Sequence, residues 1–239
     1  MESANIVGYN TTEVKQGKYS AFAVQFETVD QTDMPIKDLF SINGSFLAAS
    51  GVGGVCDQIW LWDSATGDWV KYFYQGGRGS KNTGWTKAGQ TDLIDETETV
   101  KAGQTVFFYR QGADAMLTLA GGVKPFTGTV SSECAQGKYT FLGYPWPMAF
   151  SVSDFTKFYA NGATPLAASG VGGVCDQIWL WDSAAGDWVK YFYQGGRGSK
   201  NTGWTKAGET ELTADTIPVG TGFFFYRQGA TCTISFAKD

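Results

Sequence analysis

The chain has 239 residues, of which 15% are aromatic and only 17% charged, with 32 glycines and a formal net charge of −5. That balance describes a soluble, turn-rich β protein, and it argues against a nucleic-acid partner because no basic stripe breaks the acidic whole. Histidine is absent, which removes Ser-His-Asp, Cys-His and His-metal chemistry, and no apolar run approaches the roughly 20 residues that span a bilayer.

In chain order, the opening residues lack both a charged start and an apolar stretch, so no signal peptide is expected. Strands are predicted over residues 5–14 and 18–26, and a short helical turn over 35–40. Residues 58–62 and 69–74 are short aromatic and β-branched runs flanking Asp63-Ser64-Ala65-Thr66-Gly67-Asp68. They predict a hairpin, in which Asp63 accepts hydrogen bonds from turn amides and Gly67 supplies a positive φ. Further strands are predicted over 104–110 and 116–120, with equivalents downstream, and a second helical turn over 153–159. Many short strands with glycine-rich turns predict a sandwich or barrel.

The segment from Leu47 to Gly89 recurs from Leu166 to Gly208 at a constant offset of 119, with only Thr66 against Ala185 differing. The flanks repeat more loosely: Gln16-Gly17-Lys18-Tyr19 returns as Gln136-Gly137-Lys138-Tyr139, and Phe108-Tyr109-Arg110-Gln111-Gly112 as Phe225-Tyr226-Arg227-Gln228-Gly229. Two complete copies fill the chain, and each is large enough for its own core. The expected organisation is all-β, two tandem homologous sandwich or barrel-like domains at 1–121 and 122–239.

No motif stands behind catalysis. Gly51-Val52-Gly53-Gly54 lacks the third glycine of a dinucleotide fingerprint, and residues 76–82 lack the spacing of a phosphate loop. Asp57, Asp63 and Asp68 are carboxylates without a pairing signature, and the hairpin explains two of them. The expectation is a protein that is not an enzyme and has no cofactor or bound metal.

Cys56 and Cys175 are copies of one position and are expected as buried thiols, whereas Cys134 and Cys232 replace Val14 and Ala115 and occur together only in the second copy. That joint appearance predicts a Cys134–Cys232 disulfide, worth ~4 kcal/mol in the chain-entropy model, and with it an oxidising compartment.

Eight of nine tryptophans lie in the repeated block: Trp60, Trp62, Trp69 and Trp85, and their copies Trp179, Trp181, Trp188 and Trp204. Alternate strand residues face opposite sides. These rings therefore divide between core packing and a second surface, either a glycan platform or a partner interface. Beside such a surface, Arg78, Lys81 and Asn82, with Arg197, Lys200 and Asn201, form a candidate polar loop.

The pattern "NIVGY", "DQIWLWD", "GDWVKYFY" and "FFFYR" resembles uncharacterised secreted β-rich repeat proteins of bacterial cell envelopes. The resemblance implies a secreted or cell-surface location and carries no site residues. The chain is also cut near its repeat boundary, which permits homo-oligomers joined head to tail through the termini, each contact imitating the one between domains. Two functions follow as expectations: an extracellular structural protein forming a filament or surface array, or a secreted carbohydrate-binding module with one aromatic site per domain. Neither involves nucleic acid or membrane insertion.

Overall fold

The computed structural model describes residues 7–43, 47–50, 55–76, 83–123, 128–158, 166–170, 174–195 and 202–236. The candidate polar-loop residues Arg78, Lys81, Asn82, Arg197, Lys200 and Asn201 lie outside the described residues.

The protein is all-β. The first half contains β1 (Val7–Val14), β2 (Tyr19–Ala23), β3 (Phe26–Glu27), β4 (Met34–Pro35), β5 (Ser41–Asn43), β6 (Gln58–Asp63), β7 (Asp68–Gln75), β8 (Gly84–Lys87), β9 (Thr99–Val100), β10 (Thr105–Tyr109) and β11 (Ala115–Val123). The second half contains β12 (Val130–Cys134), β13 (Tyr139–Gly143), β14 (Phe150–Ser151), β15 (Gln177–Asp182), β16 (Asp187–Gln194), β17 (Gly203–Lys206), β18 (Thr216–Ile217), β19 (Gly222–Tyr226) and β20 (Cys232–Phe236). The two expected helical turns are 3₁₀ segments, Ile36–Asp38 and Val152–Phe158.

Each half builds a five-stranded antiparallel sheet in the same order, β2-β10-β6-β7-β8 and β13-β19-β15-β16-β17. Against it stands a smaller layer: β1-β11-β3 with β5 in the first half, and β12-β20 in the second. None of the described sheets closes into a barrel. The predicted hairpin joins β6 to β7, with Trp62 opposite Trp69 and Asp63 opposite Asp68. Asp63 accepts the Ala65 amide at 2.9 Å, and Gly67 has φ +74°. The strand expected over 18–26 is instead two strands, because the Ala23 and Val24 amides leave the ladder for the Gly220 and Gln104 carbonyls. The expected boundary between 121 and 122 falls inside β11, where Gly122 pairs with both Val7 and Glu27.

Period-two alternation sets the layers. Ile59, Tyr72, Val106 and Phe108 point to one side of the first sheet and meet Val14, Leu117 and Leu119 from β1 and β11. Ile178, Tyr191, Phe223 and Phe225 do the same in the second half, against Cys134, Cys232, Ile234 and Phe236. Trp85 and Trp204 join these two cores, at 4% and 1% exposure.

The predicted disulfide is absent. Cys134 and Cys232 face each other across β12 and β20 as buried thiols, with no bond between the sulfurs. Their position explains why they occur together. Val14 and Ala115 form the same cross-strand pair in the first half and are buried there too, so both pairs fill one apolar space between layers. The Cys134 thiol is pushed far above its ordinary value by its hydrogen bond with Cys232 and by burial, which keeps it protonated. The cysteines therefore lend no support to an oxidising compartment. Cys56 and Cys175 are fully buried, as expected.

Candidate functional site

The other face of each five-stranded sheet carries the remaining aromatics, and the two faces meet. Tyr19, Ala21, Trp60, Trp62, Trp69 and Phe107 from the first half pack with Tyr139, Phe141, Trp179, Trp181, Trp188 and Phe224 from the second. Across the halves Phe107 meets Phe141 at 5.1 Å and Trp62 meets Phe224 edge-on at 5.1 Å, while within the second half Phe141 stacks on Phe224 with centroids 4.3 Å apart and an interplanar angle of 20°. This seam is reciprocal. The Trp62 indole N–H donates to the Tyr139 carbonyl at 2.8 Å, and Trp181, its copy, donates to Tyr19, the copy of Tyr139, also at 2.8 Å. The Ala23 amide donates to the Gly220 carbonyl at 2.8 Å, and the Gly143 amide to the Gly103 carbonyl at 2.9 Å. An axis of approximate two-fold symmetry therefore runs through the seam, so the contact is isologous and closes on itself.

Six of the eight candidate tryptophans thus lie in the seam and two in the cores. Trp60 and Trp179 stand at its margin, where Lys71 and Lys190 cap the indole rings at 4.0 and 4.1 Å from their centroids. Gln58 and Gln177 fix those indoles by accepting their N–H groups at 2.8 Å. A half-open cleft of about 310 Å³ lies on one side of the seam, between Ser20–Phe22 of the first half and Trp181, Asp182 and residues 218–221 of the second.

Of the most strongly anchored charged groups, sequence reasoning named Asp57 only as a carboxylate without a pairing signature and did not single out Arg110. Arg110 and Asp57 form a fully buried ion pair, and Arg227 and Asp176 repeat it. Asp57 also accepts the Ala48 and Gln111 amides at 2.9 and 2.7 Å and the Gly112 amide at 3.3 Å, and Arg110 Nε donates to the Ala113 carbonyl at 2.7 Å. Each carboxylate is consumed by one guanidinium and three backbone amides, so it ties three loop segments together and offers no lone pair to a substrate. The signal was present in the sequence: an arginine closing an apolar strand, Phe-Phe-Tyr-Arg-Gln-Gly, in both copies.

Outside the seam, Glu98 receives Lys87 at 2.9 Å and the Tyr72 hydroxyl at 2.8 Å, while Asp215 receives Tyr191 at 2.8 Å and Lys206 at 3.4 Å. Hydrogen bonding from Lys87 holds the Glu98 carboxyl below its ordinary value, and bonding from Tyr191 does the same for Asp215. Among the described residues no cluster of three or more His, Cys, Asp or Glu side chains is placed to hold a metal ion. Among the described residues no helix is long and apolar enough to cross a membrane.

Among the described strands β1 ends one side of its sheet, with β3 and β5 on the other side of β11, and β12 and β20 are the two edges of theirs. β1 and β12 are copies of each other, so the seam axis that exchanges the halves also exchanges these two edges. β1 reads VGYNTTEV and β12 VSSEC, with one acidic residue each and neither lysine nor proline. Val7 and Tyr9 on β1 are 62% and 78% exposed.

Compared with protein-family models and with curated proteins, the chain matches none.

Proposed function

We propose that this chain is a structural protein that assembles into filaments through its edge strands, β1 of the first half and β12 of the second. The observation that carries the reading is the pair of symmetry-related edges. A strand edge presents a row of amides and carbonyls able to accept another strand, and proteins that remain apart usually block it with lysine, proline or a bulge. Neither edge here carries lysine or proline. With β1 and β12 related by the internal two-fold, like-with-like pairing at each of these two edges would extend a row instead of closing it.

The seam takes no part in this growth. Because it is isologous and already satisfied inside the chain, it supplies no contact for the next molecule to imitate. The chain ends contribute through β1, which pairs along its whole length with β11 and belongs to the first half's own sheet. The secreted or cell-surface setting implied by the envelope-protein resemblance is kept as part of the proposal, and no catalytic step is. A glycan platform is less well supported, since Trp62, Trp69, Trp181 and Trp188 are taken up by the seam and Trp85 and Trp204 by the cores.

The test is to place charge on the edge without touching the core. Val7→Lys with Tyr9→Lys changes two exposed side chains, so circular dichroism should be unaltered. Wild-type protein should form long particles in negative-stain micrographs and sediment as a broad, concentration-dependent series, while the double variant sediments as a monomer. Wild-type protein that stays monomeric at high concentration would refute the proposal.

A further inference from the structure

The seam joins two nearly identical faces, yet its central positions differ in a consistent way. Thr105 in the first half corresponds to Gly222 in the second, Ala23 to Gly143, and Ala21 to Phe141. In the fold these counterparts lie across the axis from one another. A Cβ built on Gly222 would stand 1.9 Å from Thr105 Cγ2 and 2.3 Å from its Oγ1, and one built on Gly143 would stand 2.5 Å from the Ala23 Cβ. The room at each position is therefore filled from one side only. Thr105 uses its share to donate from Oγ1 to the Leu142 carbonyl at 2.5 Å. Phe141 lies 5.1 Å from Phe107 and 4.3 Å from Phe224, which are counterparts, so its ring sits close to the axis. There a symmetry mate would overlap it.

We propose that the seam is a recognition surface with a single permitted partner: a first-half face accepts a second-half face and rejects a copy of itself. Two first halves brought together would set Thr105 against Thr105, and two second halves would set Phe141 against Phe141. The partner that fits is the complementary half, from the same chain or from a second copy, so two chains can share this seam only by exchanging halves. The wider seam remains symmetric because residues away from the axis meet a different residue of the partner and impose no such conflict. Gln25 strengthens the one-way pairing, donating from Nε2 to the Trp146 carbonyl at 2.6 Å, with Pro145 at the corresponding position of the second half. The inference does not depend on filament formation.

The test reverses the complementarity within the full chain. Gly222→Thr should lower the urea midpoint sharply by setting threonine against Thr105, and Thr105→Gly should lower it by a smaller amount through loss of its hydrogen bond and packing. The combination T105G/G222T restores one threonine and one glycine at the axis, with the Phe22 carbonyl, the counterpart of Leu142, as the acceptor. Its midpoint should recover most of the loss caused by Gly222→Thr. If Gly222→Thr fails to fold, recovery of a folded double variant carries the same meaning. A Gly222→Thr midpoint equal to wild type, or a double variant no better than the worse single one, would overturn the proposal.

Discussion

Replacing Asp57 by alanine isolates one element of the stability of this fold. The substitution removes the acceptor of Arg110 Nη1 and of the Ala48, Gln111 and Gly112 amides, and both members of the ion pair are almost wholly shielded from water. Arg110 keeps its hydrogen bond from Nε to the Ala113 carbonyl, but its charge loses its buried counterpart. Breaking such a pair from one side costs about 3–5 kcal/mol. Typical domains have a stability of about 5–15 kcal/mol, so the variant should lose a large part of it. Asp57→Asn keeps an acceptor for the amides but not the charge and should fall between. Urea denaturation followed by tryptophan fluorescence measures the loss, and Asp176→Ala should match it because the second half repeats every one of these contacts. A loss below about 1 kcal/mol for either alanine variant would refute the reasoning, since that is the range of solvent-exposed ion pairs.

Glu98 predicts a pH dependence. Its carboxyl is held below the ordinary value of 4.5, chiefly by the hydrogen bond from Lys87, so its contribution is fully present above that pH and is lost as pH falls through the lowered folded-state value. Partial exposure of both partners keeps the contribution under about 1 kcal/mol, and urea midpoints between pH 3 and pH 7 should fall less steeply on acidification for Glu98→Gln than for wild type. For the cysteines, Cys134→Val with Cys232→Ala recreates the Val14–Ala115 pair of the first half and should change stability by less than about 1.5 kcal/mol. Alkylation of unreduced, denatured wild type should recover both Cys134 and Cys232 as modified thiols.

Much of the sheet framework was legible because each repeated run alternates with period two and is bounded by turn chemistry, as at Asp63 and Gly67. The short strands β4, β9, β14 and β18 were not, since two residues carry no period. The tryptophans were harder for a physical reason. An alternating strand shows that Trp60 and Trp62 share a face opposite Ile59 and Leu61, but a ring facing a ligand and a ring facing another sheet have the same neighbours in sequence. Only the topology brings the second sheet over the first. The cysteine pair misled because co-occurrence reports that two positions touch, and apolar packing between facing strands requires contact as surely as a covalent bond does. Asp57 and Arg110 lie far apart in the chain, and what marked them was the recurrence of an arginine at the end of an apolar strand.

The pattern of divergence between the copies has a structural cause in this arrangement. The hairpin strands β6 and β7 and their copies β15 and β16 lie away from the axis, where each residue meets a different residue of the other half, and they remain nearly identical. β2 and β10 carry the axis positions, where a residue meets its own counterpart, and there identity is sterically untenable once either side gains bulk. A single unduplicated unit pairing with itself would be confined to small residues at 23, 105 and 21. Joining two units in one chain lifts that restriction, because one side can grow while the other shrinks, as Phe141 and Ala21 do. The filled axis gains buried aromatic area worth about 25 cal/mol per Å², and the same change commits the seam to one partner. The same axis relates the edge strands β1 and β12, with Asn10 of β1 beside Gly220 and Val130 of β12 beside Gly103 of the other half. That pair of like edges is what the proposed linear assembly would use.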